Sequence, residues 1–438
     1  MRKSMNRILA LSAIVALCAA CGKADNEPTA PSQAGTPPSG EPPKPVTLRM
    51  YQYSGAITDD EFRTLMAEPV KQKYPHITME IVRQQTGVSL QDALFVGDAP
   101  DLIFPGSGIS NLIQLQAIQE LSPLLSKHKF QLERIEPAIV EAVKNQASKA
   151  QQLYALPFSV NFSALFYNQD IFDRFGVAYP KDRMTWDEAI ELGKRVARTE
   201  NGVTYQPLNP SGFSFFQQTL QQALADPVTH KATLSTPAMA NALRLYKSIA
   251  DLPGNKVADA RNAFLKDRIA AMIVDRGAIV GELDALYHKG DKFNWNMTTV
   301  PAMKEYPGIG QQDAPFLIAV HANSKHADDA FLALSVILSD ENQLKVTRSG
   351  RLSALKDTKF KTNFGESLAS LKGKNITGAF SYKSAVPPRA SEYAALASTQ
   401  LTEAANRVVS GAEDVNTALT KAEELANQKI AAELAAKK

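Results

Sequence analysis

Asp275-Arg276 is a charged pair followed at once by Gly277-Ala278. The guanidinium fork of Arg276 can hold a carboxylate or sulfate through parallel hydrogen bonds. The plainer reading is a surface pairing with Asp275, worth little. Phe213, Phe215 and Phe216 form an aromatic cluster. It offers ring faces on which the C–H face of a sugar packs, or else it is helix core, which suits Phe213 and Phe216 better than Phe215. Ser159, Asn161 and Ser163 are polar residues caught between apolar runs, next to Phe158. Nucleophilic, metal-assisted and phosphate chemistry lack their signatures: there is no G-x-S-x-G, H-E-x-x-H or G-x-x-x-x-G-K. The six histidines are scattered, and His321 and His326 are five apart, wrong for one helix face. No metal or cofactor is expected.

Elements must position these residues. Val46, Leu48 and Met50 alternate with Thr47, Arg49 and Tyr51, which predicts a strand ended by Ser54-Gly55. Asp59 or Asp60 can cap the next helix, which Pro69 kinks or ends. His76 to Val82 alternates again, Ser89 with Asp92 marks a helix start, and Leu102-Ile103-Phe104 is an apolar strand. Strand, helix, strand, helix, strand predicts an α/β region with a largely parallel sheet. Ligands gather at the carboxyl ends of such strands, which puts Tyr51 to Gly55 and Pro105 to Gly108 on one rim. Ser107 and a tyrosine, Tyr53 ahead of Tyr51, are candidate contacts there.

Tyr154 to Asp173 reads as a passage from a first globular lobe into a second. Leu156-Pro157 and Phe158 close an extended segment, Ala164 to Tyr167 form a buried strand, and a helix follows from Asn168. Thr185 with Glu188 is a capping box ahead of Ala189, Ile190, Leu192 and Val196. Ala270 to Val274 and Phe316 to Val320 are further apolar strands, and Ala327 to Leu338 is a helix. Trp186 and Trp295 sit at a helix start and in a strand, and both are expected to be structural.

The N-terminus has the build of an export signal, with Arg2, Lys3 and Arg7 before an apolar run from Ile8 to Ala20. Leu17 to Cys21 resembles the lipobox of bacterial lipoproteins, with Cys18 where that pattern usually has Leu. The resemblance implies lipid modification of Cys21; the alternative is an ordinary secretory signal cut near Ala20. Residues 21–45 then form a tether: seven prolines fall between Gly22 and Pro45, with no aliphatic residue larger than Ala. Both cysteines lie in or beside the leader, which leaves the mature chain no internal disulfide. Removing residues 1–20 takes the formal charge from +3 to zero, so the basic balance says nothing of nucleic acid. About 390 residues remain, enough for two lobes with separate cores.

Several blocks in order carry a family resemblance: G-D-A-P-D at Gly97 to Asp101, Y-A-L-P-F-S with A-L-F-Y-N at Tyr154 to Asn168, and T-W-D-E at Thr185 to Glu188. To these are added A-M-I-V at Ala271 to Val274, G-E-L at Gly281 to Leu283, and N-S-K-H with D-D-A-F at Asn323 to Phe331. The chain resembles the family 1 extracellular solute-binding proteins of ABC importers, the group that includes the maltose-binding protein. The resemblance implies an α/β, two-lobe periplasmic-binding fold of type II with solute bound between the lobes. Its lobes would be residues 46–157 plus 313–350, and 158–312 plus 351–438. It implies a monomer held at the membrane by its N-terminal lipid, facing outward or into a periplasm, that hands solute to permease subunits. It also implies that Asn161 and Phe158 face the cleft. Sugar-binding relatives often carry Asn-Gly-Ser-Trp where this chain has Asp275-Arg276-Gly277-Ala278, so the stacking Trp is replaced by Ala278. Either another aromatic supplies that surface, or Arg276 selects an acidic saccharide. A surface-anchored hydrolase, or a binding protein for a peptide or polyamine, are the competing readings.

Overall fold

The structure, a computed structural model, describes residues 43–54, 57–147, 152–257 and 259–436. The leader, Cys21, most of the tether and Gly55 lie outside the described residues. Among the described residues the strands are β1 Val46–Gln52, β2 Ile77–Arg83, β3 Leu102–Gly106, β4 Leu156–Asn161, β5 Ser163–Asn168, β6 Thr199–Glu200, β7 Val203–Thr204, β8 Met272–Arg276, β9 Trp295–Thr298 and β10 Ala314–Val320.

The first sheet has the order β2-β1-β3-β10-β4. β1 pairs in parallel with β2 and β3, as helical connections at Asp59–Lys73 and Leu90–Phe95 require. β10 runs antiparallel to β3 and β4 and closes the sheet with a segment distant in sequence. Every residue of β3 is buried, as expected of a strand covered on both faces.

One local expectation is corrected and one is narrowed. The first helix is capped by Thr58, not by Asp59 or Asp60: the Thr58 hydroxyl accepts from the Glu61 N–H at 3.2 Å, and the Glu61 carboxylate accepts from the Thr58 N–H at 2.8 Å. The reciprocal pair satisfies two orphan N–H groups, where a lone Asp cap satisfies one. Pro69 does not end that helix. A π turn at Arg63–Ala67 precedes it, and the proline falls in the first turn of the segment that continues to Lys73, where a missing N–H is tolerated.

The second sheet, β8-β5-β9, is antiparallel throughout. β5 lies at its centre and is apolar for that reason. Thr185 and Glu188 form the expected capping box, with the Glu188 N–H donating to Thr185 at 3.3 Å and the Thr185 N–H donating to Glu188 at 2.7 Å. The box seats Trp186 in the core, its ring 4.4 Å from that of Phe216. Trp295 is also buried, against Phe166. Helices Pro237–Ala250, Ala394–Val409 and Val415–Ala436 pack together over this core.

β4 and β5 are consecutive in the chain yet belong to different sheets. β4 keeps its pairing with β10 as far as Asn161, so the chain changes sheets at Phe162. It passes again at Gln311 to Asp313, just before β10. A third extended stretch lies beside the first, with the Val160 N–H donating to the Leu352 carbonyl at 2.7 Å. Phe162 anchors this junction, in edge-on contact with Phe364 and Phe380.

Candidate functional site

The carboxyl ends of β1 and β3 form the rim that the topology requires. Tyr53 donates its N–H to the Phe104 carbonyl at 3.0 Å, and Ser54 donates its hydroxyl to the Pro105 carbonyl at 2.5 Å. Ser107 is exposed beside them. The loop that carries it is held by Gln146, whose amide donates to the Ser107 carbonyl at 2.9 Å and accepts from the Ile109 N–H at 2.8 Å. The Asn111 amide stands 3.5 Å from the Tyr53 hydroxyl. Asn111 and Gln146 escaped the sequence reading. Asn111 lies one turn beyond Ser107 and was within reach of the rim argument, whereas Gln146 comes from a distant helix end and carried no local signal.

At the junction, Asn161 accepts the Ala278 N–H at 3.1 Å and so ties the first passage to the loop after β8. Gly277 donates its N–H to the Phe162 carbonyl at 2.7 Å. A Cβ on Gly277 would stand 2.3 Å from the Phe162 ring, which explains the glycine.

Arg276 and Asp275 do not pair side chain to side chain. Asp275 is buried and receives the fork of Arg261, from Nε at 2.7 Å and Nη2 at 3.2 Å, while its Oδ1 accepts the Arg276 backbone N–H at 2.6 Å. This corrects its assignment as a solute contact: the carboxylate is already occupied, and desolvating it without that cation would be costly. Arg276 donates Nη1 to the Gln312 carbonyl at 2.6 Å and Nη2 to the Gln218 side chain at 2.5 Å, with the Phe215 ring centroid 5.3 Å away. Burial pushes its pKa below the usual arginine value, against the opposing pull of Asp313 and Asp275. The structure thus brings Arg276 and Phe215 together and directs the guanidinium at protein acceptors.

Phe158 and Tyr51 are also corrected. Phe158 has no exposed surface, meets Phe104 edge-on at 6.2 Å and lies beneath the Arg351 guanidinium. The pleat turns it into the first core, and Asn161 is the residue of that strand that remains partly open. Tyr51 is 4% exposed, between Val82 and Ile103 in the sheet, with its hydroxyl unpaired. Burial, reinforced by Tyr53, pushes its pKa up. Phe215 is likewise buried, with the Arg276 guanidinium over its ring.

Sequence reasoning also missed Asp313. It is half-buried in the wall of a cavity, and desolvation pushes its pKa up to about 6. Arg276, Ser384 and Lys361 oppose the shift, and Glu136 adds to it. A folded-state pKa above the unfolded value means that the native protein binds the extra proton, so this group costs stability as pH rises from about 4 through about 6. Asp313→Asn should therefore narrow the gap between the urea midpoints at pH 5 and pH 7.5 and raise the second. An unchanged gap would refute this account.

A cavity of about 590 Å³ opens where the passages meet, and none of the eight solute-contact residues read from the sequence lines it. Among the described residues no group of three or more His, Cys, Asp or Glu side chains could hold a metal ion.

Two α/β halves, each with its own sheet, joined by passages that meet at a polar junction, define the two-lobe periplasmic-binding class of protein. The chain belongs to the bacterial extracellular solute-binding protein family, whose sequence model matches residues 55–344. Membership makes it a solute-binding protein of the extracellular side, not an enzyme. No helix among the described residues is long and apolar enough to cross a membrane. An arabinooligosaccharide-binding protein of Halalkalibacterium halodurans is 34% identical over 97 residues, which cover 21% of this chain and 20% of that one. The chain thus spans about a fifth of the length of that curated relative. A Rhizobium etli sugar transporter in an open conformation superposes with a TM-score of 0.72 at 20% identity, over 87% of this chain and 99% of that one. A Listeria monocytogenes ABC substrate-binding protein in complex with cycloalternan gives 0.70 at 17% identity, over 89% and 100%.

Proposed function

We infer that this chain captures an oligosaccharide outside the cell and delivers it to the permease of an ABC importer. The observation that carries the reading is the junction itself, where Asn161 at the end of the first sheet meets the Gly277-Ala278 loop of the second, and Arg276 of the second sheet reaches the Gln312 carbonyl on the passage into β10. A solute bridging both halves would favour a closed form by its differential affinity for that form. Relatives of the same fold carry saccharides, among them cycloalternan and, in a Bdellovibrio bacteriovorus protein, maltotriose. The lobes divide near the passages, with residues 46–157 plus 313–350 as the core of the first. The mature chain is a monomer held to the membrane by lipid on Cys21, through the tether of residues 21–45.

A neutral saccharide is the better-supported solute, because both terminal nitrogens of Arg276 already donate to Gln312 and Gln218. A binding protein gains about 2.7 kcal/mol at a hundredfold excess of ligand over the dissociation constant and turns nothing over. A thermal-shift screen of neutral and acidic oligosaccharides, peptides and polyamines should therefore give stabilisation by one neutral saccharide class, with no product on chromatography. Product formation would favour the hydrolase, and stabilisation confined to polyamines or peptides would reject the sugar. With the saccharide in hand, Arg276→Ala should weaken its neutral and acidic forms alike. A loss confined to the acidic form would restore the charge-selecting role.

A further inference from the structure

We propose that a cavity at the far end of the second sheet is a binding site for a phosphate-bearing organic anion, remote from the junction that takes the solute. Leu286 and Tyr287 of helix Ile279–His288, Lys292 and Phe293 of the segment leading into β9, and Lys372 with Lys374 supply its wall. The register of the second sheet sets its separation from the junction. Ser163 of β5 lies opposite Arg276 at the junction end, and Asn168 lies opposite Trp295 at the other. The length of strand between them is about 17 Å. At about 620 Å³ the cavity lies inside the range of small-molecule sites, roughly 300–1,000 Å³.

Its charge is one-sided. Lys292 and Lys372 are exposed, and among the described residues neither side chain makes an ion pair or a hydrogen bond. Lys374 is half-buried: its Nζ donates to the Trp295 carbonyl at 2.6 Å and stands 5.0 Å from the centre of the Trp295 ring. Burial pushes its pKa below the usual lysine value, and a neighbouring anion would oppose that shift. The one carboxylate among the described residues of the wall, Asp291, is already taken by Arg268, whose Nη2 donates to it at 2.6 Å. Asp284 stays out of the wall, where it accepts the Ser370 hydroxyl at 2.6 Å and pairs with His288 at 3.4 Å. Three ammonium groups therefore line the space against one neutralised acid. Ammonium groups act as point charges and suit a phosphate, whereas a carboxylate is better held by a guanidinium fork. Tyr287, 49% exposed, joins Leu286 and Phe293 in offering apolar surface. A bare inorganic ion would leave that surface uncovered, so the wall fits a phosphate ester with an apolar body.

Phenyl phosphate carries both parts and is the probe for isothermal titration calorimetry on the full chain, at low ionic strength, where exposed charges are least screened. Saturable binding is expected, tighter than that of inorganic phosphate. Lys292→Gln and Lys372→Gln should each weaken it about fivefold, the upper scale of one exposed ion pair, and together by more than about tenfold. Both lysines are unpaired at the surface, so neither change removes a contact that the fold uses. Lys289→Gln, at an exposed position outside the wall, should leave binding unchanged. A phosphate ester has two sources, a free metabolite or a lipid headgroup, and sedimentation with vesicles of phosphatidylglycerol or phosphatidylcholine separates them. Sedimentation with phosphatidylglycerol alone, lost in the Lys292→Gln, Lys372→Gln double variant, identifies the headgroup; phenyl phosphate binding without sedimentation identifies the free ester. Failure of both phenyl phosphate and phosphatidylglycerol vesicles to bind overturns the proposal. So does a loss on Lys289→Gln equal to that on Lys372→Gln, which would reduce the effect to net charge. Inorganic phosphate binding as tightly as its phenyl ester would overturn the organic ligand. None of these outcomes depends on what the junction binds.

Discussion

Phe162→Ala should lower the free energy of unfolding by about 3–5 kcal/mol, the range for deleting a buried phenylalanine from a site that cannot collapse. The ring is 3% exposed and meets Phe364 at 5.2 Å and Phe380 at 4.8 Å, both nearly edge-on. Edge-to-face pairs add about 0.5–1.5 kcal/mol beyond area burial. Relaxation cannot refill the space, because Phe162 is hemmed between β4 and β5 and the Gly277 backbone is hydrogen-bonded to its carbonyl. Phe162→Leu keeps most of the volume and should cost less than half as much. Urea denaturation followed by far-ultraviolet circular dichroism measures both. A loss under about 1 kcal/mol for the alanine variant would mean that the aromatic cluster does not hold the junction.

The second large effect concerns Asp275. Arg261→Met removes the fork that neutralises a carboxylate whose side chain is 8% exposed, while keeping much of the arginine's apolar stem. Stranding a fully buried charge costs about 3–5 kcal/mol. Here the Arg261 side chain is 39% exposed, so solvent screens the pair, and the Arg276 N–H still supports one oxygen. The expected loss is therefore about 2 kcal/mol. Adding Asp275→Asn to Arg261→Met should restore part of it, since the amide carries no charge to strand. If the double variant were as unstable as the sum of the singles, the coupling would be absent and the pair merely a surface contact. The same measurement bears on function, because Asp275 orients the backbone from which Arg276 projects.

Much of the fold was legible because its determinants are short-range. Alternation at Val46 to Tyr51 predicted β1, and the Thr185 and Glu188 spacing predicted a capping box that the structure contains. The first cap was misplaced because Thr58, Asp59 and Asp60 are all competent caps, and only the reply from Glu61 distinguishes them. The rim was legible too, since strand order alone sends Tyr53 and Ser107 to the same end of the sheet.

The site's chemistry was less legible, for a reason that Arg276 illustrates. Residue type identified a forked donor, yet its acceptors, Gln218 and Gln312, come from other segments that no local pattern links to it. Asp275 likewise took Arg261 in preference to its sequence neighbour, because adjacent residues of a strand point to opposite faces of the sheet. Tyr51 was named for its position near a rim and Phe158 for its place in the crossing segment, and the covering of the first sheet on both faces turned them into core.

By itself the sequence determined the class of protein, most of the strands and helices, the export-signal pattern and which strand ends share one rim of the first sheet. These depend on periodicity, capping and motif order, all of which act within a few residues along the chain. Tertiary structure alone decided which polar groups are already satisfied, that Asp313 is partly desolvated, and that the passages enclose a cavity with unpaired Gln311 and Ser163 atoms in its wall. Burial and hydrogen-bond partnership are set by segments that meet only after the chain has folded, so they cannot be read from any one stretch of it.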